Sequence, residues 1–61
     1  MIYSVYSFGA LRVLISDATG DLLGVQDRIS GEAASLRYSA TYIARAVEFA
    51  LRAHASQMEL A

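Results

Sequence analysis

The feature that most constrains this chain is its C-terminal half, where neither glycine nor proline occurs between positions 32 and 57. Good helix formers dominate the stretch, so it predicts one long α-helix over about residues 31–57. Ser30 suits the N-cap position and Glu32 suits the positive end of the helix dipole. At 1.5 Å per residue, a helix of about 26 residues would be roughly 40 Å long, which is long for so small a chain.

The side chains of this predicted helix divide into a narrow charged stripe and a wide apolar arc. The stripe carries three arginines, Arg37, Arg45 and Arg52, which we predict to bind a partner. A seam of mostly apolar residues, spaced alternately by four and three, follows another line along the helix and is typical of helix–helix packing. We predict this seam as the interface between copies of the chain. Its members are Leu36, Ala40, Ile43, Val47, Ala50 and His54.

The apolar arc is wider than packing on a single sheet requires, since it covers about two thirds of the helix circumference. A chain of 61 residues without cysteine has no disulfides to stabilise a small core. Oligomerisation is then the usual solution, and the hydrophobic fraction of 56% agrees with it. We therefore expect a homo-oligomer, most simply a twofold dimer.

The N-terminal half of the sequence predicts antiparallel β-structure. Aromatic and β-branched residues favour strands at 2–8 and 11–16, separated by a turn or bulge at Gly9. Residues 17–21 form a turn in which Gly20 can adopt a positive φ. Residues 22–26 fit either a third strand or the face of a helix. In the second strand, the residues predicted to share one face are Leu11, Val13 and Ile15.

These patterns together predict the α+β class, with one domain over residues 1–61. A β-hairpin or three-stranded meander would occupy about residues 2–27, and the long helix would follow. The chain carries six aromatic residues that we expect in the core and at interfaces. If exposed beside arginine, they would form a protein-binding hot spot. They are Tyr3, Tyr6, Phe8, Tyr38, Tyr42 and Phe49.

The sequence lacks the motifs of phosphate-binding loops, dinucleotide-binding folds, zinc proteases and serine hydrolases. Asp17, Thr19 and Asp21 have the spacing that opens a calcium loop. Such a loop needs glycine at its sixth position and an acidic residue at its twelfth, where this chain has Leu22 and Arg28. We therefore predict a plain turn there, and no metal site, cofactor or catalytic residues.

The predicted function is that of a small non-catalytic regulatory or adaptor protein that homo-oligomerises through its C-terminal helix and binds another protein. The arginine stripe, or the strand at 2–8 added to a partner's sheet, would supply the contact. One alternative is a nucleic-acid-binding regulator that uses the arginines, although a net charge of −1 disfavours it. Another is a small oligomeric enzyme with an intersubunit site near His54. We expect no membrane span and a cytoplasmic location.

Overall fold

The computed structural model describes residues 2–60, which form a three-stranded sheet followed by one long helix. The predicted α+β class and element order are confirmed, and the β part is a meander in which residues 22–27 are a strand. The oligomeric state stays a prediction. The elements are β1 (Tyr3–Phe8), β2 (Leu11–Ser16), β3 (Leu22–Asp27), a short 3₁₀ helix (Ala34–Leu36) and α1 (Ala40–Leu60).

The sheet is antiparallel, with β2 in the centre between β1 and β3. Phe8 pairs with Leu11, so the predicted turn or bulge is a tight turn formed by Gly9 and Ala10, and Gly9 has a φ of 55°. In the second turn Gly20 adopts the predicted positive φ, at 77°. Glycine takes this conformation without the steric cost of a Cβ atom.

The core lies between β2 and α1. The alternation predicted for β2 is confirmed, because Leu11, Val13 and Ile15 are fully buried on the side that faces the helix. Opposite them, α1 contributes Ala46 and Ala50, which are also fully buried. Alanine lets the helix backbone approach the sheet closely. Burial of each large side chain stabilises the fold by about 1.5–3 kcal/mol.

The predicted start of the helix is wrong by about nine residues, because α1 begins at Ala40 rather than near residue 31. The intervening residues fold back on β3. Gln26 forms a bridge with Ala33, and the backbone N–H of Asp27 donates to the carbonyl of Glu32 at 2.9 Å. Gly31, with a φ of 77°, is incompatible with a right-handed helix at that point.

Ser39, rather than Ser30, caps the helix. Its Oγ accepts a 3.2 Å hydrogen bond from the backbone N–H of Tyr42, and its carbonyl accepts the bond from Ile43. Tertiary contacts often override the helix propensity of a segment. The residues after Glu32 are good helix formers, but here the chain runs back along β3 before α1 begins. A consequence is that Leu36 lies outside α1 and is 71% exposed.

The helix lies across β1 and β2 and makes fewer contacts with β3. Two hydrogen bonds show its direction relative to β1. Tyr42 Oη accepts a hydrogen bond from the backbone N–H of Ala10 at 3.1 Å, and Gln57 Oε1 accepts one from Tyr6 at 2.9 Å. The helix therefore runs antiparallel to β1, and the opposite face of the sheet is left without a covering layer in the described part of the chain.

Candidate functional site

A shallow groove of about 630 Å³ opens between α1 and the end of β1. Its apolar part is aromatic: the ring of Phe49 packs on that of Phe8 with the centroids 5.5 Å apart. Phe8 also contacts Tyr42, at a centroid distance of 5.9 Å, which holds the ring pair in place. Phe49 is nevertheless 45% exposed. The residues that line the groove are Phe8, Arg45, Glu48, Phe49, Arg52 and Ala53.

The helical spacing places the charged side chains along the same side of α1 as Phe49. Arg52 forms a 2.8 Å ion pair with Glu48, one turn earlier. Such an exposed pair is worth only about 0.3–0.5 kcal/mol, so Arg52 can exchange Glu48 for another carboxylate at little cost. Arg45 has no ion-pair partner among residues 2–60. Two arginines and one glutamate leave the groove positively charged on a chain of net charge −1.

The structure separates Arg37 from the other two predicted partner-binding arginines. Arg37 follows the 3₁₀ helix and lies outside α1, so helical spacing does not align it with Arg45 and Arg52. Its Nε lies 3.6 Å from the carboxylate of Glu32. The predicted stripe is therefore reduced to a pair of arginines, and that pair lines the groove.

The predicted interface seam is not one continuous exposed surface. Ala50 is fully buried and His54 is 7% exposed, and the half-buried Ile43 packs against the core cluster of the same chain. Val47 is half-buried, Leu36 is outside the helix, and Ala40 is its exposed first residue. The central part of the seam therefore faces the chain's own sheet, and the surface available to a second copy along this line is smaller than predicted.

His54 belongs to a small polar cluster with two other residues. Its Nδ1 lies 2.8 Å from the hydroxyl of Tyr6, and the two rings meet edge to face at 5.8 Å. Because that hydroxyl donates its one proton to Gln57 Oε1, it accepts from His54 Nδ1–H. Within residues 2–60 no carboxylate hydrogen-bonds to His54, and the groove is lined by other residues.

A second opening, of about 710 Å³, lies at the turn between β2 and β3 and is lined mainly by apolar surface. Asp17, which borders it, accepts a 2.6 Å hydrogen bond from the hydroxyl of Ser4. In the part of the chain that the structure describes, no three histidine, aspartate or glutamate side chains gather where they could hold a metal ion. The opening therefore offers an apolar surface rather than a set of ligands.

The sequence predicts Phe8 and Phe49 as two members of a set of six aromatic residues, but it does not indicate that these two rings pack on each other. The available signal was the alternation of β1, which puts Tyr6 and Phe8 on the same side of the strand. Tyr6 meets His54 because α1 covers that side of the sheet. Residues more than 40 positions apart share no local sequence pattern, so a contact between them can be identified only from the folded structure.

No protein-family model matches the chain, and searches of curated proteins and of solved structures found no similar protein. Over residues 2–60, no helix has the combination of length and apolar character that crossing a membrane requires. The function is therefore inferred from the chemistry of the groove and its surroundings.

Proposed function

We propose that the protein is a small non-catalytic regulatory or adaptor protein, assembled from copies of itself, that binds a segment of another protein in this groove. The segment carries acidic side chains next to an aromatic or aliphatic one. The observation that supports the proposal is the position of Phe49. Its ring is partly exposed, rests on Phe8, and lies one turn from both Arg45 and Arg52.

Aromatic residues, phenylalanine among them, and arginine are enriched at the core of protein interfaces relative to the rest of the surface. The ring of Phe49 is held by its neighbour, so binding costs little side-chain entropy there. Arg45 has its guanidinium available for a planar, two-point contact with a carboxylate. An apolar side chain on Phe49 and a carboxylate on Arg45 would together use both features of the groove.

Binding of nucleic acid is disfavoured by the same charges. Affinity for a phosphate backbone increases with the number of basic side chains that contact it. The groove offers two arginines and a glutamate, and the chain as a whole is negatively charged. A single acidic segment needs no extended basic surface, and so it suits this groove better than a nucleic-acid strand.

The proposal is tested by selecting binders from a random peptide library displayed on phage, with the whole protein immobilised. We expect the selected peptides to combine acidic residues with an aromatic or aliphatic one. Arg45→Glu and Phe49→Ala should each weaken their binding by about tenfold or more, equal to about 1.4 kcal/mol. The matched controls are Arg37→Glu, an arginine outside the groove, and Leu51→Ala, another exposed apolar residue of α1.

Two results would contradict the proposal. One is selection of peptides without acidic enrichment, whose binding is insensitive to Arg45→Glu. The other is retention of single- or double-stranded DNA at physiological salt that Arg45→Glu abolishes, since this would assign the groove to nucleic acid.

A further inference from the structure

The outer edge of β1 is an unprotected sheet edge. The other edge of the sheet, on β3, is partly covered, because Ala33 pairs with Gln26 there. In the described chain no segment pairs with the outer side of β1. Its six residues contain no charge and no proline, and its pairing with β2 is regular throughout. Proteins usually block such edges with charges, proline or bulges, and β1 has none of these.

The backbone groups that β1 directs outward follow from its hairpin with β2. The residues that flank a two-residue turn exchange hydrogen bonds, so Phe8 faces Leu11 with its backbone groups. At the other end, the carbonyl of Ile2 accepts a 3.2 Å bond from the backbone N–H of Asp17. Even-numbered residues therefore bond to β2, and the N–H and C=O groups of Tyr3, Val5 and Ser7 point away from the sheet.

We propose that this edge pairs with the same edge of a second copy of the chain, antiparallel, around a twofold axis at Val5. In this register Val5 lies opposite Val5 of the second copy, and Tyr3 lies opposite its Ser7. Each of the outward-facing residues then donates and accepts a backbone hydrogen bond. A shift by two residues in either direction keeps a twofold axis but leaves one of these three residues without a strand partner, so the register centred on Val5 forms the most backbone hydrogen bonds.

The strand is chemically suited to face itself. It carries no charged side chain, so two copies meet without like-charge repulsion. Tyr3 and Val5 are each 49% exposed on the open face of the sheet, and pairing brings Val5 of one copy against Val5 of the other. A strand from another protein would have to match this uncharged edge, whereas a second copy of the chain supplies the same uncharged strand by symmetry.

The same register adds a residue to the groove. It places Ile2 of the second copy opposite Phe8, on the side of the sheet that carries α1. Ile2 is 77% exposed in the single chain. In the dimer it extends the apolar floor of the groove beside Phe8, so the groove is incomplete without the second copy. This inference rests on the proposed homo-oligomeric state but is independent of what the groove binds.

The register is tested by disulfide trapping, since the chain contains no cysteine of its own. Residues opposite each other in a hydrogen-bonded antiparallel pair have Cα atoms about 5.5 Å apart, within the range of a disulfide. Val5→Cys should therefore give disulfide-linked dimers under mild oxidation. The matched control is Ser7→Cys, on the same strand and face, whose two cysteines would lie about 14 Å apart along the strand and should crosslink at least about tenfold more slowly.

A second pair of variants measures assembly without crosslinking. Light scattering on the wild-type protein should give the mass of a dimer. Val5→Lys, which opposes two like charges at the axis, should raise the dissociation constant about tenfold or more. Leu51→Lys makes the same change at a similarly exposed residue of α1 and should leave the dimer intact.

A monomeric wild-type protein would overturn the inference, as would a dimer broken by Leu51→Lys and not by Val5→Lys. Faster crosslinking of Ser7→Cys than of Val5→Cys would overturn the register. The proposal that the groove binds an acidic segment is tested separately from the dimer, because Arg45→Glu leaves β1 unchanged. A dimer that persists while Arg45→Glu has no effect on peptide binding refutes the groove alone.

Discussion

The hydroxyl of Tyr38 donates a 2.8 Å hydrogen bond to the carboxylate of Asp27, and this contact joins the end of β3 to the segment that leads into α1. The same carboxylate accepts bonds from the backbone N–H groups of Ile29, at 2.8 Å, and Ser30, at 3.2 Å. One side chain thus holds both the turn after β3 and the residue that precedes the helix cap. The carboxylate of Asp27 is thus buried among hydrogen-bond donors that are all neutral.

These bonds predict how stability depends on pH. The bond from Ile29, followed by those from Tyr38 and Ser30, lowers the pKa of Asp27 below its usual value of 3.8. A lowered pKa in the folded state contributes stability that is present above pH 3.8 and is lost as the pH falls through the folded value. The wild-type protein should therefore lose stability below about pH 4 more steeply than Asp27→Asn does.

The measurement is urea unfolding of both proteins at a series of pH values from 7 to 2. Asp27→Asn should be less stable than the wild type at pH 7, and the two should converge in acid. The hydrogen bond to Asp27 raises the pKa of Tyr38 above its usual value of 10.0. The stability that this shift contributes should therefore be lost only when the pH rises above 10.0. Parallel pH profiles for the two proteins below pH 4 would show that Asp27 does not have this role.

The position of the helix cap gives a second prediction. Ser39→Ala removes the acceptor for the N–H of Tyr42 and should destabilise the protein by about 1 kcal/mol. Ser30→Ala is the matched control, because Ser30 is exposed and lies outside the helix, and it should change stability by less than about 0.5 kcal/mol. Chemical unfolding measures both. A larger effect at Ser30 than at Ser39 would favour the longer helix that the sequence suggests.

These residues also show why the sequence predicts the fold class but not the helix boundary. Alternation in β2 and the absence of glycine in the C-terminal half are local signals, and both identified their elements. The start of α1 is decided instead by Asp27, which bonds to Tyr38 eleven residues later. Ser30 and Ser39 are equally plausible caps by local criteria, and only the return of the chain along β3 distinguishes them.

A third prediction concerns Gly9, where backbone conformation and packing act together. Its φ is positive, and a Cβ atom there would collide with Tyr42 Oη. Gly20 also has a positive φ, but a Cβ atom there would meet nothing within 4 Å. Gly20→Ala should therefore lower the free energy of unfolding by about 1–2 kcal/mol, because alanine is strained in this backbone conformation, and Gly9→Ala should lower it further.

The difference between the two glycines is assigned by a double-mutant cycle with Tyr42→Phe, which removes the colliding oxygen. In the Tyr42→Phe protein, Gly9→Ala should destabilise less than it does in the wild type, whereas the destabilisation by Gly20→Ala should not change. Equal costs at both glycines, unaffected by Tyr42→Phe, would mean that Tyr42 does not pack on the turn as described.

The candidate site could be predicted from the sequence only in part. The sequence predicts Arg45 and Arg52 together because they share a helix face. It also predicts Arg37 on that face, because the pattern places the start of the helix near residue 31 rather than at Ala40. Phe8 lies on a different element from Phe49, and its place beside that ring depends on the direction in which α1 crosses β1. Local periodicity specifies the faces of each element, while the contacts between faces depend on the tertiary packing.

The proposed role of the groove is tested most directly by calorimetric titration of an acidic and apolar peptide, taken from the library selection, into the wild-type protein, Arg45→Glu and Arg37→Glu. Both variants reverse an exposed arginine and change the net charge equally, so any difference between them reports position rather than total charge. The account predicts that Arg45→Glu weakens binding by about tenfold or more and that Arg37→Glu weakens it by less than about twofold. Equal losses in the two variants, or no loss in either, would contradict it.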